Sequence, residues 1–165
     1  MDIPADWKEQ FVRESLYAPE AWFVHELLEL DERAGIVRAR TDTTRLGFLV
    51  DAQRALPGHA KHLPGAVAIQ ITGTLGQLHA TFLLGLRPSD GWVGFGTHLK
   101  MARFPRMGTI GPPLDVQATV TRSRTIRHTV FNDYRFDFTQ DGHRVYESEQ
   151  TAAFFDATRA LGAPA

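Results

Sequence analysis

Two histidines, His59 and His62, flank Lys61 just before Leu63-Pro64-Gly65, where a long apolar stretch begins. Histidine changes charge near neutral pH. A helix start offers unbonded N–H groups and a partial positive charge. Histidines beside a helix that opens at Gly65 and Ala66 could polarise a carbonyl, stabilise an oxyanion and move a proton next to it. The nearest carboxylate along the chain is Asp51. It would have to serve as the third ligand if the histidines held a metal. A His-x-x-His pair in a loop is a poor metal signature, so the expectation is no metal. The plainer alternative is two solvated loop histidines.

Beyond Pro64, Gln70, Thr74, Gln77 and Thr81 recur at i, i+4, i+7 and i+11. They form one polar stripe on an otherwise apolar segment. Buried polar groups need partners. The stripe therefore either bonds to neighbouring strands or a second subunit, or lets Gln70, nearest the helix start, touch a substrate. A carboxamide cannot act as a proton-transfer base; it can orient or donate. The five other histidines, His25, His79, His98, His128 and His143, are scattered and read as structural or exposed.

The basic residues comprise three lysines and fifteen arginines. Arg45, Arg103, Arg106, Arg122 and Arg124 stand at strand ends or in loops, as solvated edge charges or as forks for a carboxylate or phosphate. No Gly-x-Ser-x-Gly elbow is present, which argues against a serine hydrolase. The glycines of Gly91–Gly96 open a strand rather than a helix, so they are not a dinucleotide fingerprint.

These residues need a scaffold. Residues 5–17 suit a short leading helix. Ala21–Leu30 and Ile36–Thr44 read as a strand pair around Asp31–Gly35. Arg45–Leu63 is a long loop with a helical turn expected at Asp51–Ala55. Over residues 64–86, Val67, Ile71, Leu75, Leu78, Phe82 and Leu86 recur at helical spacing with little charge between them, so protein covers this helix on most sides. Gly73 and Gly76 each cost about 1 kcal/mol relative to alanine there. Tight packing or room for a ligand would offset that. Four strands follow, over 92–104, 114–124, 130–138 and 145–155, with a tight turn at Asp141-Gly142. The boundary near Arg124–His128 has no glycine or proline to mark it, and the tail 162–165 is expected to fray.

The 165 residues are 43% hydrophobic and 22% charged, with a net charge of −1. That suits one domain spanning 1–165, of α+β class, and gives no basic footprint for nucleic acid. The absence of cysteine excludes disulfides, thiolate metal sites and a cysteine nucleophile. No apolar run has the length of a membrane span. The expectation is a soluble, cytoplasmic protein with no membrane partner.

Residues 56–77 and 101–124 resemble the hotdog superfamily. Leu-Pro-Gly-His-Ala-Lys-His-Leu-Pro-Gly-Ala-Val-Ala-Ile-Gln is similar to the loop and helix start of hydroxyacyl-thioester dehydratases. Ala-Arg-Phe-Pro-Arg and Gly-Pro-Pro-Leu-Asp are similar to their third strand and turn. That resemblance implies a curved antiparallel sheet wrapped around one long central helix. The dehydratase histidine position is Ala55 here and its glutamate position is Gln70, so both proton-transfer groups are missing. The FcoT-like thioesterase family is a nearer resemblance, through His62-Leu63, Gln70, Ala102-Arg103-Phe104 and Val120-Thr121-Arg122.

This family implies acyl-CoA or acyl-carrier-protein substrates that bring their own coenzyme A or phosphopantetheine, no separate cofactor, and a homodimer with sites at the subunit boundary. Some members are thought to add glycine to an enoyl thioester. Hydrolysis must activate water, with Asp51, His59 and His62 as the nearby candidates. Amine addition mainly needs the carbonyl polarised. The expected reaction is therefore aza-Michael addition of an amino acid such as glycine. Hydrolysis is the alternative, then dehydration or hydration, or a non-catalytic acyl-binding module. His62, His59, Gln70 and Asp51 are the catalytic candidates. Gly65, Ala66, Thr74, Gln77, Arg103 and Arg45 are the binding ones.

Overall fold

A computed structural model describes residues 1–160. The expected frayed tail, 162–165, lies outside them. The chain opens with α1 (Trp7–Glu14), followed by the antiparallel pair β1 (Glu26–Asp31) and β2 (Ile36–Thr41). A short α2 (Phe48–Asp51) interrupts the loop that leads to α3 (Gly65–Phe82). Then come β3 (Trp92–Arg103), β4 (Leu114–Ile126), β5 (Thr129–Gln140), β6 (His143–Asp156) and a final turn, α4 (Ala157–Ala160).

The six strands form one antiparallel sheet in the order β1-β2-β4-β5-β6-β3. Register shifts in β1, β3, β4 and β6 bend and twist the sheet. It curves around α3, the hotdog architecture that the resemblance implied. One face of α3 supplies the core: Val67, Ile71, Leu75 and Leu78 are fully buried. They meet inward-facing side chains such as Val37, Leu114, Phe136 and Phe138, also closed to solvent. Phe11 and Trp22, with rings 4.7 Å apart, cap this core from the N-terminal segment. No helix among the described residues is long and apolar enough to cross a membrane.

Several boundaries differ from expectation. The central helix stops at Phe82 rather than 86, because Gly85 takes a positive φ (64°) and turns the chain. The turn expected at Asp51–Ala55 is shifted to Phe48–Asp51, where Gly47 in the left-handed region opens it. The unmarked boundary after Arg124 is a hairpin. Arg127 adopts φ 55° there without a glycine, and β4 runs on to Ile126.

Candidate functional site

A cavity of about 360 Å³ lies between α3 and the β3–β6–β5 side of the sheet. Helix rotation decides which side chains reach it. Gln70, Gly73, Gln77 and Ala80 fall on the cavity side of α3, and Gly76 leaves it open. A Cβ added to Gly73 or Gly76 would meet nothing within 4 Å. The helix glycines are therefore not tight packing points; they leave open space on this side of α3. Opposite them stand Trp92–Gly96 at the start of β3, Tyr134 and Phe136 on β5, and Gln150, Ala152 and Phe154 on β6. Leu16 and Tyr17, following α1, complete the wall.

The lining is mainly apolar, and its polar groups are carboxamides and hydroxyls. No aspartate, glutamate, lysine, arginine or histidine is among the described residues that line it. The Gln70 side chain has no hydrogen-bond partner among the described residues. Gln77 Nε2 donates to the Glu14 carbonyl at 2.8 Å, and its Oε1 accepts from Ser15 Oγ at 3.3 Å. Thr74 Oγ1 donates to the Trp22 carbonyl at 2.9 Å. Within the predicted stripe, then, Thr74 and Gln77 bind the N-terminal segment to the helix, while the Gln70 side chain stays partnerless on the cavity wall.

Beneath the cavity wall lies a buried polar cluster that the sequence did not single out. Tyr134 Oη is 2.9 Å from His79 Nδ1 and accepts from Asn132 Nδ2 at 3.2 Å. Burial lowers the His79 pKa to about 4 and raises that of Tyr134. A second cluster fixes Gln150. Its Nε2 donates to Thr72 Oγ1 and Ser148 Oγ, each at 3.0 Å, with Tyr146 Oη at 3.4 Å. His79 could have been found only as a polar interruption on an apolar helix face; Gln150 gave no local signal at all.

The helix start is a separate region. Val67 N and Ala68 N bond back to the Pro64 carbonyl, leaving the Gly65 and Ala66 N–H groups without partners among the described residues. Phe104 covers this point, its Cζ 3.2 Å from where a Gly65 Cβ would stand. Gln53 organises the preceding loop, accepting from His62 N at 3.0 Å and donating to His62 O at 2.8 Å. The His59 and His62 rings are 5.0 Å apart, and His62 Nδ1 is buried without a partner. Lys61 Nζ donates to the Asp51 carbonyl at 3.0 Å, which brings Asp51 to the same loop. His59 and His62 therefore meet each other near the helix start, Asp51 is tied to the loop only through its backbone carbonyl, and none of the three lines the cavity. No group of three metal-ligating side chains occurs among the described residues.

The two arginines also stand apart from the cavity. Arg103 ends β3, 70% exposed and 3.7 Å from Glu147. Arg45 closes the 3-10 turn Thr43–Arg45. There it adds to the burial that lowers the His25 pKa.

No protein-family model and no curated protein matches the sequence. Solved structures do. A thioesterase from Haemophilus influenzae aligns at 17% identity over 95% of this chain and 94% of its own, with a TM-score of 0.62. A dehydratase heterocomplex from Xenorhabdus doucetiae aligns at 14% identity over 99% of this chain and 100% of its own, with a TM-score of 0.61. A hypothetical thioesterase from Streptococcus pneumoniae, solved with coenzyme A, aligns at 16% identity over 84% of this chain and 91% of its own, with a TM-score of 0.55. At these identities the likeness speaks for architecture, and this chain has the hotdog fold that they share.

Proposed function

We propose that this protein is an acyl-thioester enzyme that adds an amine, such as the amino group of glycine, to an α,β-unsaturated acyl-CoA or acyl-carrier-protein thioester. The observation that carries this reading is an acyl-sized, mainly apolar cavity whose described lining holds carboxamides and hydroxyls but no carboxylate, histidine, lysine or arginine. Water needs a base to become a nucleophile. A neutral amine does not. The N–Cβ bond forms as the Cα=Cβ π pair shifts to join Cα to the carbonyl carbon and the carbonyl π pair moves onto oxygen; the enolate then collapses as Cα takes the proton that nitrogen loses. No leaving group or oxidant is required.

In this reading the partnerless N–H groups of Gly65 and Ala66 face the developing enolate oxygen. Gln70 orients the acyl carbons from the cavity side. His62 and His59 are the titratable groups at that end of the helix and carry the proton, with Asp51 on the short helix that precedes their loop. An amino-acid carboxylate finds no cation in the cavity and is met outside it, by Arg103, which is 70% exposed. Coenzyme A or phosphopantetheine arrives on the substrate, as coenzyme A is bound by the pneumococcal neighbour. The setting is cytoplasmic lipid or natural-product biosynthesis.

The working unit is a homodimer. β3 is a 12-residue edge strand with Phe95 55% and Leu99 51% exposed, and Ile69 on the central helix is 43% exposed. A long apolar edge of this kind is a template for pairing, and a second copy would cover it.

Hydrolysis is the second reading, favoured by the thioesterases among the structural neighbours. Incubating the protein with enoyl-CoA and saturated acyl-CoA, with and without glycine, separates the two by mass spectrometry. The expected product is an amine adduct formed only from the enoyl thioester. Free acid accumulating regardless of amine, with no adduct, would overturn addition in favour of hydrolysis. Hydrated thioester would point to the hydratase reaction, and binding without any product to an acyl-binding module.

A further inference from the structure

Gln150 is held from behind by three hydroxyl-bearing side chains, and counting hydrogens shows what it has left. Its two amide hydrogens go to Thr72 Oγ1 and Ser148 Oγ, each at 3.0 Å. Its Oε1 has one neighbouring donor, Thr72 Oγ1 at 3.3 Å. Thr72 has a single hydroxyl hydrogen, and that hydrogen is directed at the Ile69 carbonyl at 2.6 Å. Oε1 therefore keeps its acceptor capacity. Gln150 and Thr72 both line the cavity, and Gly73 beside Thr72 leaves open space for a Cβ. Because Gln150 lines the cavity, a ligand N–H or O–H there can bond that oxygen.

We infer that Gln150, seated on Thr72 and Ser148, is the subsite that holds the incoming nucleophile by an N–H, turning its lone pair toward the acyl chain. With no carboxylate among the described lining residues to stabilise an ammonium, the subsite suits a neutral amine, the form that can attack. Water could offer an O–H to the same oxygen. The inference rests on the acyl-thioester reading and names the residue that positions the second reactant.

The test uses the full chain with but-2-enoyl-CoA and either methylamine or glycine. In Gln150→Leu, the KM for amine should rise about tenfold or more while the KM for thioester stays within about twofold. Gln150→Met replaces the leucine variant if that one melts early. An unchanged amine KM in the apolar variant overturns the inference, as does a parallel rise in both KM values.

The reading beneath it fails in a different way. A wild-type protein that forms no adduct but releases free acid ends the addition reading. Slower hydrolysis in Gln150→Leu, at an unchanged thioester KM, would then support Gln150 as the holder of water, and equal hydrolysis would remove it. A wild-type protein with neither activity overturns both.

Discussion

His79 Nδ1 and Tyr134 Oη are 2.9 Å apart although 55 residues separate them in the chain. The contact ties the second half of α3 to the middle of β5, directly behind the cavity wall. His79 is 4% exposed, and burial alone lowers its pKa from 6.5 to about 4. The unfolded chain therefore takes up a proton near pH 6.5, while the folded one resists until about 4.

Stability linked to His79 is fully present above about pH 6.5 and lost as pH falls toward 4. A shift of this size corresponds to about 3 kcal/mol. Urea unfolding of wild type and His79→Gln at pH 7 and pH 4.5 checks this. The wild type should lose more stability between the two than the variant does.

Tyr134→Phe removes the hydroxyl that joins His79 and Asn132. Both partners stay buried and lose that bond, so the variant should unfold with about 1–3 kcal/mol less stability. Its secondary structure should be unchanged by circular dichroism.

Gly73 and Gly76 have open space at the Cβ position. Gly73→Ala should stabilise the helix by about 1 kcal/mol. Gly76→Leu should instead fill the cavity. Comparing acyl-CoA chain lengths by thermal shift should show the longest binders lost first in that variant, with the shortest retained.

Gly94 is different. A Cβ there would lie 2.4 Å from Phe154 Cδ1, and Phe154 is 6% exposed. Gly94→Ala should cost about 1–3 kcal/mol through overpacking, read as a lower denaturant midpoint.

If β3 pairs with a second copy, charge on its apolar positions should prevent it. Phe95→Lys combined with Leu99→Lys should sediment as a monomer where the wild type sediments as a dimer. An unchanged sedimentation coefficient would place the interface elsewhere.

Much of the scaffold could be read from residue order. Val67, Ile71, Leu75 and Leu78 announce α3 because an apolar period of 3.6 has few other solutions. Asp141-Gly142 announces its hairpin by turn chemistry, and φ is positive at both residues. Arg127 does not, because a left-handed arginine is held by the strands on either side rather than by its own preference. The site was legible only in part. Gln70 reaches the cavity as a helix-start carboxamide should. Thr74, one turn on, is taken by the Trp22 carbonyl, a partner 52 residues away that no local pattern reveals.

The sequence by itself determined the order of elements, the single long helix and the absence of thiol chemistry, since periodicity, turn residues and composition are local properties. Only the tertiary structure decided which polar groups meet. Strand pairing sets Tyr134 opposite Gln150, and side chains of paired residues share a face of the sheet. The curved sheet then brings that face over Gly73 and Gly76. The histidine loop instead folds back on Gln53 near the helix start. The cavity is a relation among distant segments, set by packing and hydrogen bonding that act only once the chain has closed around its helix.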